Sequence, residues 1–268
     1  TGELNTAVGR SALENNTTAD SNNAFGRRAL YTNTTGAQNT AIGYLALYLN
    51  TTASYNTAVG VSSMQSNTTG AKNTSVGYGA LTSNTTGTEN TVVGEVALDA
   101  NTTGNYNTAV GRHALSSNTT ASNNTAVGRN ALGDNTTGAQ QVAVGGSAMA
   151  SNTTGYNNTA VGWESMKANT TGALNVAVGQ QALLANTTGQ KNVAVGHNSG
   201  ASLTTGGTST LVGDNSGSAI TTGVHNVCIG VDSGDTTTTG NSHILIGNTA
   251  RASSSAGSNQ IAMGEVAT

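Results

Sequence analysis

Proline is absent from this chain, cysteine occurs once, and aromatic residues make up only 3% of it. With Cys228 alone, no disulfide can form within the chain and no cysteine-based metal site exists. Charged residues are 8% of the total, against about 25% in an ordinary globular domain. The formal net charge of -3 leaves no basic stripe, which argues against a nucleic-acid partner. No apolar run approaches the ~18 residues of a membrane span, and no basic-then-apolar leader opens the chain, so membrane insertion is not expected. The 268 residues would suit one large domain or two small ones, yet so few large side chains make a single thick core unexpected. The sequence starts at Thr1 without methionine and stops within a repeat at Thr268, and it reads as a piece of something longer.

What is abundant is glycine, and one glycine recurs with a strict period. It stands at Gly9, Gly26, Gly43, Gly60, Gly77, Gly94, Gly111, Gly128, Gly145, Gly162, Gly179, Gly196, Gly213, Gly230, Gly247 and Gly264, each step being 17 residues. The result is sixteen units of the type N-T-A-V-G-x-x-A-L-x-x-N-T-T-G-x-x. Spacing without insertion or deletion means that every turn is sterically equivalent, as in coils stacked on one another. The expected fold is all-β, a parallel β-solenoid of sixteen 17-residue coils.

The residue before the glycine is apolar and mostly β-branched: Val8, Phe25, Ile42, Val59, through Ile229, Ile246 and Met263. Two residues earlier stands Thr, replaced by Val142, Val176, Val193, Val227, Ile244 and Ile261 in later units. Alternation along a strand puts these two columns on one face, taken as the inward one. The Ala between them (Ala7, Ala41, Ala58, Ala109, Ala160, Ala177, Ala194) is then expected to point outward, forming a flat column for intermolecular contact. A second apolar row lies four after the glycine, from Leu13, Leu30 and Leu47 to Leu183. Two short strands per coil are expected, with glycines at corners of positive φ. Helical repeats need more room than 17 residues with two glycine corners.

Asparagines recur in register at Asn16, Asn33, Asn50, Asn67, Asn84, Asn101, Asn118, Asn135, Asn152, Asn169 and Asn186, each followed by two threonines. At a strand spacing of ~4.8 Å identical amides can hydrogen-bond along the column as a ladder. N-T-T also satisfies the glycosylation pattern, but the ladder accounts for the register with or without sugar.

The chain has two zones, 1–191 with regular coils and 192–268 with variant coils. In the second the Leu row gives way to Asn198-Ser199-Gly200, Asn215-Ser216-Gly217 and Asp232-Ser233-Gly234, and the Asn column to Leu203, Ile220 and Thr237. The Ala column swells to Leu211, Cys228 and Leu245, so part of the burial moves to another wall. Sixteen coils at ~4.8 Å give a rod roughly 77 Å long. Each coil buries only two or three aliphatic side chains, at about 1.5–3 kcal/mol each, against the entropy of ordering 17 residues. Association is expected to help, with a parallel homotrimer the preferred form.

The repeat N-T-A-V-G-x-x-A-L-x-x-N-T-T-G resembles the repeat regions of tail-fibre and fibre-like proteins of bacteriophages and large algal viruses. It is similar, more loosely, to the N-x-x-A-x-G coils in the heads of trimeric autotransporter adhesins. The resemblance covers essentially the whole chain and is strongest from Asn5 to Asn192. It implies a left-handed parallel β-roll that trimerises, at a virion surface or otherwise outside the cell. The departure is a longer, 17-residue coil with the N-T-T insert. The receptor-binding tip or chaperone domain that follows such shafts is not recognisable here.

Catalysis needs a non-repeated constellation, and little of that kind is present, so an enzyme, a cofactor or a metal is not expected. His113, His197, His225 and His243 stand at irregular positions expected to face outward. His225 and His243 lie on successive coils near Asp232 and Asp235, a weak candidate site. Asp214, Asp232 and Asp235 sit in glycine-rich corners, without the nonapeptide calcium-roll pattern. Tyr31 and Tyr48 share a position on adjacent coils and are expected to stack. Tyr44, Tyr78 and Trp163 follow the corner glycine and are expected outward, as contacts for glycans or proteins or as plain surface packing. Three functions remain in view. They are a viral or phage fibre shaft presenting a host-recognition element through flanking domains, a bacterial adhesin head binding host matrix, and an ice-binding solenoid with threonine columns.

Overall fold

The computed structural model describes residues 2–264 and is a parallel β-solenoid, with one three-residue strand per 17-residue coil and no helix among the described residues. The chain forms two compact units, 1–137 and 138–268. The first holds β1 (Thr6–Val8) to β8 (Thr125–Val127), and the second β9 (Val142–Val144) to β16 (Ile261–Met263). Within each unit consecutive strands pair in parallel with a register shift of one repeat, as in Thr6↔Asn23 and Val176↔Val193. The compositional change at 192 falls inside the second unit, and pairing runs through it from Val193↔Thr210 onward.

The strand faces the other way from the sequence-based expectation. Its central residue is buried: Ala41, Ala58, Ala109, Ala160, Ala177 and Ala194 are fully enclosed, while Ala7 on the first coil is exposed. The flanking columns face outward, Val178 and Val195 remaining 36% and 37% exposed. The Ala column is therefore core, not contact surface. Its small side chains suit an interior already filled from the opposite wall by the fully buried row Leu30, Leu47, Met64, Leu81, Leu98, Leu115 and Leu132. A coil one strand spacing from the next has no room at that level for a large side chain from both walls.

There is also one strand per coil, not two. Two residues beyond each corner glycine from Gly9 to Gly230, and again four beyond, the backbone enters the left-handed region, as at His113 (φ 58°) and Leu115 (φ 52°). Two such residues turn the chain where a second strand was expected. Coil-to-coil hydrogen bonds nonetheless continue along this wall, for example Leu98 N to Ala114 O at 2.9 Å. A third left-handed residue lies ahead of each strand, as at Glu89 and Tyr106. Sequence gives little warning of this, because Leu, Met, Glu and Tyr, which fill many of these positions, carry no preference for positive φ.

The corner glycines do have positive φ. At Gly111 φ is 132°, and a Cβ there would stand 2.6 Å from the carbonyl oxygen of Gly128 on the next coil. Both the conformation and the stacking demand glycine, which explains a column without exception. The N-T-T-G glycines are not in the left-handed region, and their column also accepts Ala19, Ala53 and Ala121.

Candidate functional site

The Asn column is a hydrogen-bonded ladder. Asn33 Nδ2 donates to Asn16 Oδ1 (2.9 Å), Asn50 to Asn33 (2.8 Å), Asn67 to Asn50 (3.0 Å), Asn84 to Asn67 (2.8 Å) and Asn101 to Asn84 (2.9 Å). Asn118 and Asn135 continue it at 3.0 Å each. In the second unit Asn169 donates to Asn152 (2.7 Å) and Asn186 to Asn169 (2.8 Å). The second amide hydrogen goes to the carbonyl three residues on, as from Asn33 to Gly36 O at 2.8 Å. From Asn33 to Asn186 these residues are fully buried. From Asn33 on, both amide hydrogens are used inside the core, so a glycan on Nδ2 there would break the ladder and has no path outward. The glycosylation reading thus fails in the folded coil.

A second amide column, not read from the sequence, runs parallel to the first. It is the leading Asn of each unit: Asn22, Asn39, Asn56, Asn73, Asn90 and Asn107 in the first half, all buried. Each Oδ1 accepts the backbone N–H of its counterpart one coil on, as Asn22 Oδ1 does from Asn39 N at 2.9 Å. Each Nδ2 crosses the coil to the carbonyl fourteen residues on, as Asn22 does to Gly36 O at 2.9 Å. Gly36 O therefore accepts from both columns at once. The two amides close each coil on itself, which is how so polar an interior stays satisfied. The replacements Gln141, Ser209, His243 and Gln260 in this column all keep an acceptor, and that was the available signal.

His243 consequently lies in the core, fully buried, and not on the surface. Its Nδ1 accepts from Gln260 N at 3.2 Å, which leaves Nε2 as the protonated nitrogen, buried and without a partner. His225 is exposed, so the two do not form a site. His197 Nδ1 lies 2.8 Å from Asp214 Oδ1, Asn215 Nδ2 donates to Asp232 at 3.1 Å, and Arg251 grips Asp235 with two bonds of 2.8 and 2.7 Å. These acidic side chains are thus tied to single neighbours. Among the described residues no three His, Cys, Asp or Glu side chains cluster as metal ligands. Cys228 is buried, and burial pushes its thiol up to about 12, far above the range of a reactive cysteine.

Tyr31 and Tyr48 do stack, with ring centres 5.4 Å apart and 16° between planes. Tyr44, Tyr78 and Trp163 are outward, at 41%, 63% and 51% exposure. Tyr44 and Tyr78 are separated by the coil carrying Val61, and Trp163 lies in the second unit over Gly146, where a Cβ would touch its ring at 3.3 Å. Of these aromatic residues, Tyr31 and Tyr48 are brought together, and Tyr44 stands beside Arg27.

The outward strand face is a uniform surface repeated on every coil. In the second unit its two columns hold Val142, Val176, Val193, Val227 and Ile244 beside Val144, Val161, Val178, Val195, Val212, Ile229 and Ile246. Thr159 and Thr210 are its only polar interruptions, and it carries no charge. In the first unit one column is mostly Thr and the other apolar. No protein-family model matches this chain, and no curated protein matches it.

Proposed function

We propose that this chain is a structural shaft segment of a virus or phage fibre, a stiff spacer that assembles as a parallel homotrimer through its outward strand face. The observation that carries this reading is the charge-free aliphatic face of the second unit, two side chains wide and repeated on every coil. An isolated solenoid would leave that face in water, where burying it is worth about 25 cal/mol per Å². A partner matching it column for column needs the same strand spacing, and a second copy of this chain has it. Continuous rows of uncharged side chains also avoid the edge-to-edge repulsion that a charged face would impose on such packing. The repeat's resemblance to fibre shafts supports the same assembly at a virion surface.

Light scattering at several concentrations tests this. The expected result is a mass of three chains that persists on dilution, and loss of that mass in Val178→Glu with the coil spectrum by circular dichroism unchanged. A monomer at every concentration, or an unaltered mass in Val178→Glu, overturns the trimer through this face.

A second reading draws on the outward threonines of the first unit's strands (Thr40, Thr57, Thr74, Thr91, Thr108), which stand in one column on the exposed side. Spaced threonine hydroxyls on a flat β face can order water as ice does. Thermal hysteresis in a monomeric preparation supports this reading, and its absence removes it.

A further inference from the structure

Basic residues in this chain are few, nine in all, and four of them are neutralised by a neighbour. Lys72 pairs with Glu89 (3.5 Å), Arg112 with Glu95 (3.1 Å), Lys167 with Glu164 (2.6 Å) and Arg251 with Asp235 (2.7 Å). Arg10, Arg27 and Arg28 form no ion pair among the described residues, although Glu14 and Asp20 lie on the same coils. Arg10 and Arg27 both follow a corner glycine, so their backbones lie one strand spacing apart, ~4.8 Å. Two like charges in one column without a counterion repel, by roughly 1 kcal/mol in water at such a distance.

Aromatic rings hold two of these guanidiniums, those of Arg27 and Arg28. Arg28 Cζ lies 5.7 Å from the centre of the Tyr31 ring, which is itself stacked on Tyr48. Arg27 Cζ lies 5.6 Å from the centre of the Tyr44 ring. A guanidinium stacked on a ring keeps its in-plane N–H groups free to donate, and its position is fixed before any ligand arrives. Tyr31 is stacked on Tyr48 and approached by Arg28, so these rings offer their hydroxyl edges and the remaining face of Tyr48. Tyr44 is the ring exposed to a ligand.

We infer that Arg10, Arg27, Arg28, Tyr31, Tyr44 and Tyr48 form a binding site for an acidic polysaccharide. Its carboxylate or sulfate groups meet the arginine edges, and its sugar rings meet Tyr44 and the tyrosine hydroxyls. The strand spacing is close to the advance of one sugar ring along an extended chain, so successive coils present one arginine or tyrosine per sugar. The patch ends where its leading column turns to Val61, Tyr78 and Glu95, which limits the ligand to a short acidic stretch and argues against a long nucleic-acid track. The proposal does not depend on the shaft reading.

The test is binding of dextran sulfate and polygalacturonate, with neutral dextran and inorganic polyphosphate as comparisons, by titration calorimetry in 0.15 M salt on the whole chain. The double variant Arg27→Gln, Arg28→Ser uses residues that other coils carry in the same columns, Gln180 and Ser11, so the coil is retained. The expected results are binding of at least one acidic polysaccharide, no binding of neutral dextran and at least a tenfold loss in the double variant. Tyr44→Val, which copies Val61, should weaken binding severalfold, and Lys191→Thr, which removes a distant charge and copies Thr208, less than twofold. The proposal falls if neither acidic polysaccharide binds, if the double variant binds like the parent, or if Lys191→Thr loses as much. Polyphosphate bound as tightly as the polysaccharides, with Tyr44→Val unchanged, overturns the sugar assignment.

Discussion

The regular coils and those beyond residue 192 fill the same interior by opposite means. In a regular coil the strand contributes Ala and the facing turn contributes Leu, as with Ala109 and Leu115. Beyond 192 the strand contributes Leu211, Cys228 or Leu245 and the turn contributes Gly200, Gly217 or Gly234. The fit is tight, since a Cβ on Gly217 would stand 2.7 Å from Leu211 Cδ2, and one on Gly234 2.6 Å from Cys228 Sγ. The turn position is left-handed in both kinds of coil, at φ 52° for Leu115 and 60° for Gly217. A regular coil therefore holds a leucine in a conformation that costs about 1–2 kcal/mol, and the variant coil avoids that strain. Ser199, Ser216 and Ser233 then tie the turn to the strand of the next coil, donating to Leu211 O, Cys228 O and Leu245 O at 2.8–2.9 Å. Volume at one level of the core is conserved, and the wall that supplies it is not.

Transplanting the variant solution into a regular coil gives the largest effects. Leu115→Gly alone should destabilise by about 2–4 kcal/mol, because a buried cavity outweighs the relieved backbone strain. Ala109→Leu alone should cost about 1–3 kcal/mol by overpacking. The double variant should recover most of both losses, and a coupling of 2 kcal/mol or more in the double-mutant cycle would express the volume exchange. Urea midpoints at constant slope read it out. Additive losses would mean that the two walls do not compete for one space.

The two regions differ also in the amide ladder, which stops at Asn186, whose Oδ1 is buried with no donor where Leu203 begins. Placing leucine at Asn101 copies the column of the variant coils but should cost about 2–3 kcal/mol. Asn84 Oδ1 loses its donor and Asn118 Nδ2 its acceptor, and both stay buried. Gly104 O still receives Asn90 Nδ2 at 2.9 Å, so the coil remains closed at that point. Hydrogen exchange should speed up over residues 84–118 and not at distant coils. Unchanged exchange would mean that the ladder is ornamental to stability.

Why some of this was legible in the sequence and some not follows from the same comparison. A column that tolerates no replacement, such as Gly9 to Gly264, or one that forms a ladder, such as Asn16 to Asn186, shows itself at a fixed period. The direction of the strand does not, because T-A-V alternates equally well either way. Aliphatic residues on both flanks suggested an inward face, yet they lie on the outward side of a three-residue strand. The left-handed leucines were equally silent. The inner amide column was visible as the first letter of every repeat, and its replacement by His243 should have placed that histidine inside. The Tyr31–Tyr48 stack was readable from position alone, whereas the unpaired arginines beside it needed the ion pairs of the other coils for contrast.

The smallest effect concerns one column in which the two regions treat the same residue differently. Asp235 in the variant region is gripped by Arg251, whose guanidinium is held further toward the charged form by that carboxylate. Asp99 occupies the same column on a regular coil without such a partner, half-buried, with Oδ1 enclosed and unbonded. Loss of hydration raises its carboxyl above the usual 3.8, against smaller opposing contributions from the backbone N–H groups of Asp99 and Ala100 and from His113. A carboxyl with a raised value binds its proton more tightly in the folded chain than in the unfolded one. The charged form therefore costs stability above the folded value, and that cost fades as pH falls through it toward 3.8 and below. Asp99→Ser, the residue at Ser116 one coil on, should raise the urea midpoint at pH 7, with the gain shrinking as the solution is taken to pH ~2.5, where Asp99 is essentially neutral in both states. A gain independent of pH would place the benefit in packing, and a loss at pH 7 would mean that the backbone N–H groups hold the charge better than burial penalises it.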